Sequence, residues 1–141
     1  MVPAFRGSGV PVRILLAALT GYAVVVLLVM AGTFTAMSVT GLAADARPTT
    51  VYLFLNIAAS FLAAIGGGYV TARCTPAGKI AMSVALLVFV FLGMAVLSYR
   101  LMPDAHQPPA YLPLVTLLGV IGIWTGTMTE RAIHGRARSD T

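Results

Sequence analysis

Few residues in this chain have the chemistry to react, and their spacing limits what they could do. Glu130 and His134 stand at i and i+4, on one face of any helix that carries them. A carboxylate and an imidazole could share a metal, but a zinc-type site needs at least a third protein ligand. The only other histidine, His106, falls in a separate proline-rich break, so a solvated helix end with Glu130 near Arg73 or Lys79 is the expectation. Cys74 is the single cysteine, which excludes an intramolecular disulfide and any CxxC metal or redox motif. At a membrane boundary it could carry a reversible acyl group or remain an inert thiol. Serine, threonine and histidine nowhere fall together as a nucleophile and its base. No catalytic residue, cofactor or metal is expected, and no enzyme.

Two further sets concern recognition. Asn56 is the strongest polar residue within an apolar run, and Ser60 lies one turn along on the same face. Both should point between helices, because an amide left against hydrocarbon is costly. Thr20, Tyr22, Thr33, Thr35, Thr116 and Thr125 could extend a polar path, but no Asp, Glu, Lys or His lies deep in any run. Proton relays and ion-coupled carriers depend on such groups, so a pump is disfavoured and a passive pore is not. The second set is small residues. Ala63-x-x-x-Gly67, Ala64-x-x-x-Gly68, Ala17-x-x-x-Gly21, and Gly119, Gly122 and Gly126 have the spacing that lets helix backbones approach closely in lipid. Gly21, Ala63, Gly67, Gly68, Gly119, Gly122 and Gly126 are therefore expected at helix contacts, within one bundle or between copies. Gly66-Gly67-Gly68 could instead break a helix around a substrate. Val88 and Val90 are expected to face lipid.

The elements that position these residues follow from composition. Of 141 residues 59% are apolar and 9% charged, against roughly 25% charged in a soluble domain. So few charges cannot cover a globule in water. Four long apolar runs predict helices over about 14–40, 51–72, 80–101 and 110–129, with short tails at 1–12 and 132–141. A hydrocarbon core about 30 Å thick takes about 20 residues of helix. Strands are excluded because Tyr22 to Met30 shows no alternation of polarity. The breaks GLAADARPTT, RCTPAGK and MPDAHQPP supply turn residues, with Thr49 or Thr50 free to cap the second helix and Pro113 tolerated in the first turn of the fourth. The short second break makes helices two and three antiparallel neighbours. The first run is too long for a signal peptide, although Ala43-Ala44-Asp45-Ala46 has a cleavage-like pattern.

The formal charge of +5 does not indicate nucleic acid, because the basic residues flank apolar runs and form no stripe. If the chain alternates sides, Arg6, Arg13, Arg73, Lys79, Arg131, Arg136 and Arg138 share one side and Arg47 and Arg100 the other, seven against two. That asymmetry predicts cytoplasmic termini. Tyr52, Tyr99 and Tyr111 would then meet the outer headgroups, where Arg100 snorkels.

The stretch Tyr52-Leu53-Phe54-Leu55-Asn56 through Gly67-Gly68-Tyr69-Val70-Thr71-Ala72-Arg73, with Gly21-Tyr22 in the first helix, resembles a group of small uncharacterised bacterial four-helix membrane proteins. Cys74 and Thr75 depart from that pattern before Pro76. The resemblance implies an inner membrane and no established activity. The expected architecture is an all-α integral membrane bundle of four antiparallel transmembrane helices, with the lipid bilayer and a homo-oligomer or larger membrane complex as partners. The expected role is structural or accessory, through helix contacts; the alternative is a small passive transporter or channel assembled as an oligomer.

Overall fold

The computed structural model describes residues 9–42, 47–76, 78–101 and 108–139, with side chains as far as His134. It contains four helices: α1 (Val10–Thr40), α2 (Thr50–Cys74), α3 (Ile80–Leu101) and α4 (Tyr111–Ser139). All four are long and apolar enough to cross a membrane, and the described residues include no strand. The Ala43–Ala46 segment, His106 and the first eight residues lie outside the described residues.

The helix ends follow from local chemistry. α1 begins about one turn earlier than expected because Pro11 sits in its first turn, where its missing N–H leaves no bond unmade. It stops at Gly41, which takes a left-handed conformation (φ +64°), so that the Leu42 N–H reaches back to the Met37 carbonyl at 3.2 Å. This Schellman-type closure satisfies carbonyls the helix would otherwise leave open. Thr49 caps α2, its hydroxyl accepting from the Tyr52 N–H at 3.3 Å. Thr75 turns to an extended conformation before Pro76, which cannot donate to a helix. The largest difference from the sequence expectation is at the end of α4. Residues 132–139, expected as a tail, continue the helix to Ser139. Glu130, Arg131, Ala132 and Arg136 are good helix formers, and Gly135 alone is not enough to stop them.

α2 is the centre of the packing. Its extensive interfaces are with α1 and α4, whereas α3 meets the other three more lightly. The short turn joins α2 to α3 and the two are in contact, as expected, but their interface is smaller than those of α2 with α1 and α4. Contacts set the register. Along α1 and α2 the numbers run in opposite order, from Gly21 beside Gly67 to Gly32 beside Ala59. Along α2 and α4 they rise together, from Asn56 beside Tyr111 to Gly68 beside Ile123. One end of the bundle therefore carries Arg13, Arg73 and Lys79, the basic end; the far end carries Thr49, Leu101 and Tyr111.

The core is small. Ala18, Ala64, Val84, Leu87 and Ile123 form it, with Tyr22, Val88 and Phe91 against its edge. Val88 thus packs inward, contrary to expectation, and Phe89 is the residue of that turn that faces out, 74% exposed. Phe54 and Leu62 on α2, Leu27 and Phe34 on α1 and Trp124 on α4 are exposed in the same way. The outside of the bundle is apolar and the inside is made of small residues, the reverse of a water-soluble economy.

Candidate functional site: two glycine seams and a polar bridge

α2 is held to its neighbours by two seams that begin in its own sequence. Gly67 and Gly68 are adjacent, so they point about 100° apart and serve different partners. A Cβ placed on Gly67 would lie against Val25 and within 2.8 Å of the Gly21 carbonyl oxygen of α1; one placed on Gly21 would lie on Thr71 and within 2.8 Å of the Gly67 carbonyl oxygen. On the other side, a Cβ on Gly68 would meet the Ile123 backbone. One on Gly122 would meet Phe61 O at 2.9 Å and Ala64 at 2.8 Å, and one on Gly126 would meet the Ile65 carbonyl. A glycine carries its second Cα hydrogen where a Cβ would stand. In both seams a Cα–H is thus directed at a carbonyl of the facing helix, a weak hydrogen bond worth about 0.5–1 kcal/mol. Because backbone obstructs each of these positions, at some of them alongside side chains, no rotamer change alone could make room for a side chain.

Ala63 and Ala64 are buried beside these glycines, at 1% and 0% exposure. Gly119 is different: its neighbour is the Phe91 ring of α3. α2 runs unbroken from Thr50 to Cys74, so Gly66-Gly67-Gly68 forms no helix break.

Toward the far end the seams give way to a polar bridge. Thr33 of α1 donates its hydroxyl hydrogen to Asn56 Oδ1 at 2.8 Å, and Asn56 Nδ2 donates to the Tyr111 hydroxyl at 2.6 Å. One amide thereby joins α1, α2 and α4. Tyr111 is the first residue of α4, at the far end of the bundle, and is buried against its neighbours. Ser60, one turn along, is also buried and borders a cavity between α1, α3 and α4.

These groups do not join into a path. The interior between Ser60 and Thr71 is closed by Ala64, Leu87 and Ile123, none with any exposed surface. Thr20, Thr35 and Thr125 are exposed and donate to the carbonyls of Leu16, Ala31 and Ile121 on their own helices. At the basic end Thr71, Ser83 and Thr127 are buried, and Thr127 donates to the Ile123 carbonyl at 2.9 Å. Glu130 lies one turn beyond, 3.8 Å from Arg73 Nη1 and 3.5 Å from His134 Nδ1. That ion pair extends the α2–α4 contact to the helix ends; with Arg73 half exposed, it adds little stability. Cys74 is exposed. Among the described residues no group of three or more His, Cys, Asp or Glu comes together.

Comparison with family models, with curated proteins and with solved structures finds no match to this chain.

The sequence reading missed Thr33 and Tyr111 as partners of Asn56, and missed Gly32, whose Cβ would strike Ala59 of α2. Tyr111 was within reach of pattern analysis. It lies 8, 11 and 15 residues before Gly119, Gly122 and Gly126, a helical period that puts it on their face.

Proposed function

We propose that this chain is a non-enzymatic multi-pass protein of a bacterial inner membrane, spanning it with four alternately directed helices, both termini cytoplasmic. Its role is that of a structural or accessory subunit acting through helix contacts, with itself or within a larger membrane complex. The resemblance of its second helix to small bacterial four-helix membrane proteins supports this placement. So does the seven-to-two distribution of basic residues, since short loops rich in Lys and Arg stay in the cytoplasm.

The observation that carries the reading is the pair of glycine seams. Packing between helices in lipid gains nothing from hydrophobicity and depends on close backbone approach. Here the close contacts gather on α2, while the reactive side chains remain dispersed. An oligomeric passive transporter is less well supported, because each protomer is plugged at Leu87 and Ile123. Such a pathway would have to run between copies.

Two experiments test this. Carbonate-washed membranes should retain the chain, and single cysteines introduced at Ala46 and Ala105 should react from the periplasm of intact cells while one at Ala77 does not. Purification in mild detergent should then give a stable oligomer or a reproducible partner. A monodisperse monomer without partners would remove the accessory role.

A further inference from the structure

We infer that the cleft between α3 and the far halves of α1 and α4 is a binding site for one acyl chain of an anionic bilayer phospholipid, its headgroup held at the far end beside Tyr99 and Arg100. This rests on the membrane-spanning reading above. As far as Phe91, α3 is held to the bundle: Ser83, Val84 and Leu87 are buried and the Phe91 ring lies over Gly119. Beyond it every residue from Leu92 to Leu101 is exposed except Ala95, which is half-buried. α3 leaves α4 along this stretch, and a cleft of about 560 Å³ opens between Val96 and Tyr99 on one wall and Pro109 and Leu117 on the other. It shares Ala95, Leu112 and Thr116 with a deeper cavity of about 250 Å³ that reaches Tyr22 and Ser60. The two cavities adjoin across these shared residues, one on the flank of the bundle and the other toward its interior.

Three features choose the occupant. The lining is apolar apart from a few hydroxyls and contains no charged residue, so an ionic or strongly polar ligand would lose its hydration without replacement. Water is a poor filler, because a buried water needs several polar partners. The larger volume lies within the range of ligand pockets, roughly 300–1,000 Å³, yet a second helix, about 10–12 Å across, could not enter as far as Ser60. A single hydrocarbon chain can, and lining atoms that would otherwise lack neighbours gain dispersion contacts from it. At the mouth, Tyr99 presents an amphipathic ring, and Arg100, next in sequence and exposed at the same end of α3, supplies a cation. With Arg47 it is one of only two basic residues assigned to that side, a complement to a phosphate.

The test uses the full chain in phosphatidylcholine vesicles containing a minor fraction of phosphatidylglycerol with a photoactivatable diazirine midway along one acyl chain. After irradiation and digestion, adducts should concentrate at Met94, Ala95, Leu112 and Thr116. The excess over exposed Phe34, Phe54 and Leu62 should be roughly tenfold, the factor that about 1.4 kcal/mol of preference produces. Ala95→Trp, which fills the junction of the two cavities, should remove the adducts at Leu112 and Thr116 and leave those at Phe34. Should that variant lose its monodisperse peak, the map of the parent chain decides alone. Arg100→Gln should remove the preference for this probe over its phosphatidylcholine counterpart. Adducts spread evenly over all exposed faces overturn the site. A cysteine introduced at Val96 that forms a disulfide with a second copy in the same vesicles overturns it too, by making a helix the occupant. Equal labelling of the parent by the two probes overturns the headgroup assignment. Release of the chain from the vesicles by carbonate overturns the membrane reading itself, an outcome distinct from a retained chain with even labelling.

Discussion

α2 and the far half of α3 have similar apolar character and opposite packing. On α2, glycines at 67 and 68 bring backbone to backbone on two sides, and nothing between them can move. On α3 beyond Phe91, Gly93 has no neighbouring atom within 4 Å of where a Cβ would stand, and the residues around it face outward. Hydropathy does not separate these regions; side-chain size and position do. A glycine stabilises a lipid-embedded bundle only where another backbone uses the space it leaves. The same residue type marks the tightest contact in this chain and its loosest.

That contrast can be broken at graded positions. Gly126→Leu should have the largest effect, because its side chain would enter the Ile65–Tyr69 backbone. Overpacking typically costs about 1–3 kcal/mol and can exceed that where the obstruction is rigid. Loss of the monodisperse detergent peak on heating should come many degrees below the parent. A parental melt with a shifted oligomer peak would place Gly126 between subunits instead.

Asn56→Ala should come next. It leaves the Thr33 and Tyr111 hydroxyls without their partner. Hydrogen bonds between membrane helices average about 0.6 kcal/mol each, so the loss should be near 1 kcal/mol. Tyr111→Phe, which removes only one of the two bonds, should cost about half as much in the same assay. If both variants melt like the parent, the bridge contributes nothing.

Gly119→Ala should be milder than any seam substitution, although its Cβ also meets a close neighbour. That neighbour is the tip of the Phe91 ring, which can swing toward the adjoining cavity. A cost equal to that of Gly126→Ala would show α3 to be as firmly docked as α4.

Much of this architecture was legible from the residues. Four helices follow from four runs near 20 residues, and Thr49, Gly41 and Pro113 mark their ends through capping and turn chemistry that acts locally. The glycine positions were legible too, because small-xxx-small spacing has one main use in lipid. Which helix each glycine meets was not. Gly119 and Gly122 are three residues apart on α4, yet one faces Phe91 of α3 and the other Phe61 and Ala64 of α2. That choice depends on where α3 sits, and a short turn fixes only that two helices are neighbours, not how extensive their contact is. Val88 was misjudged for the same reason: in an all-apolar helix, inward and outward faces look alike. The bridge was half legible. Asn56 announced a need for partners, whereas Thr33 and Tyr111 had credible uses elsewhere.

The central claim is that α2 is locked by backbone contact and the far part of α3 is not, and one pair of single-methyl substitutions tests it most directly. Gly68→Ala and Gly93→Ala add the same group to apolar helices of one protein, the first against the Ile123 carbonyl and the second into open surroundings. Thermal unfolding of both in the same detergent should show Gly68→Ala destabilised by at least about 1 kcal/mol. Gly93→Ala should be unchanged, or stabilised by no more than the roughly 1 kcal/mol that alanine gains over glycine in a helix. Equal midpoints for the two variants, or a larger loss at Gly93, would contradict the account.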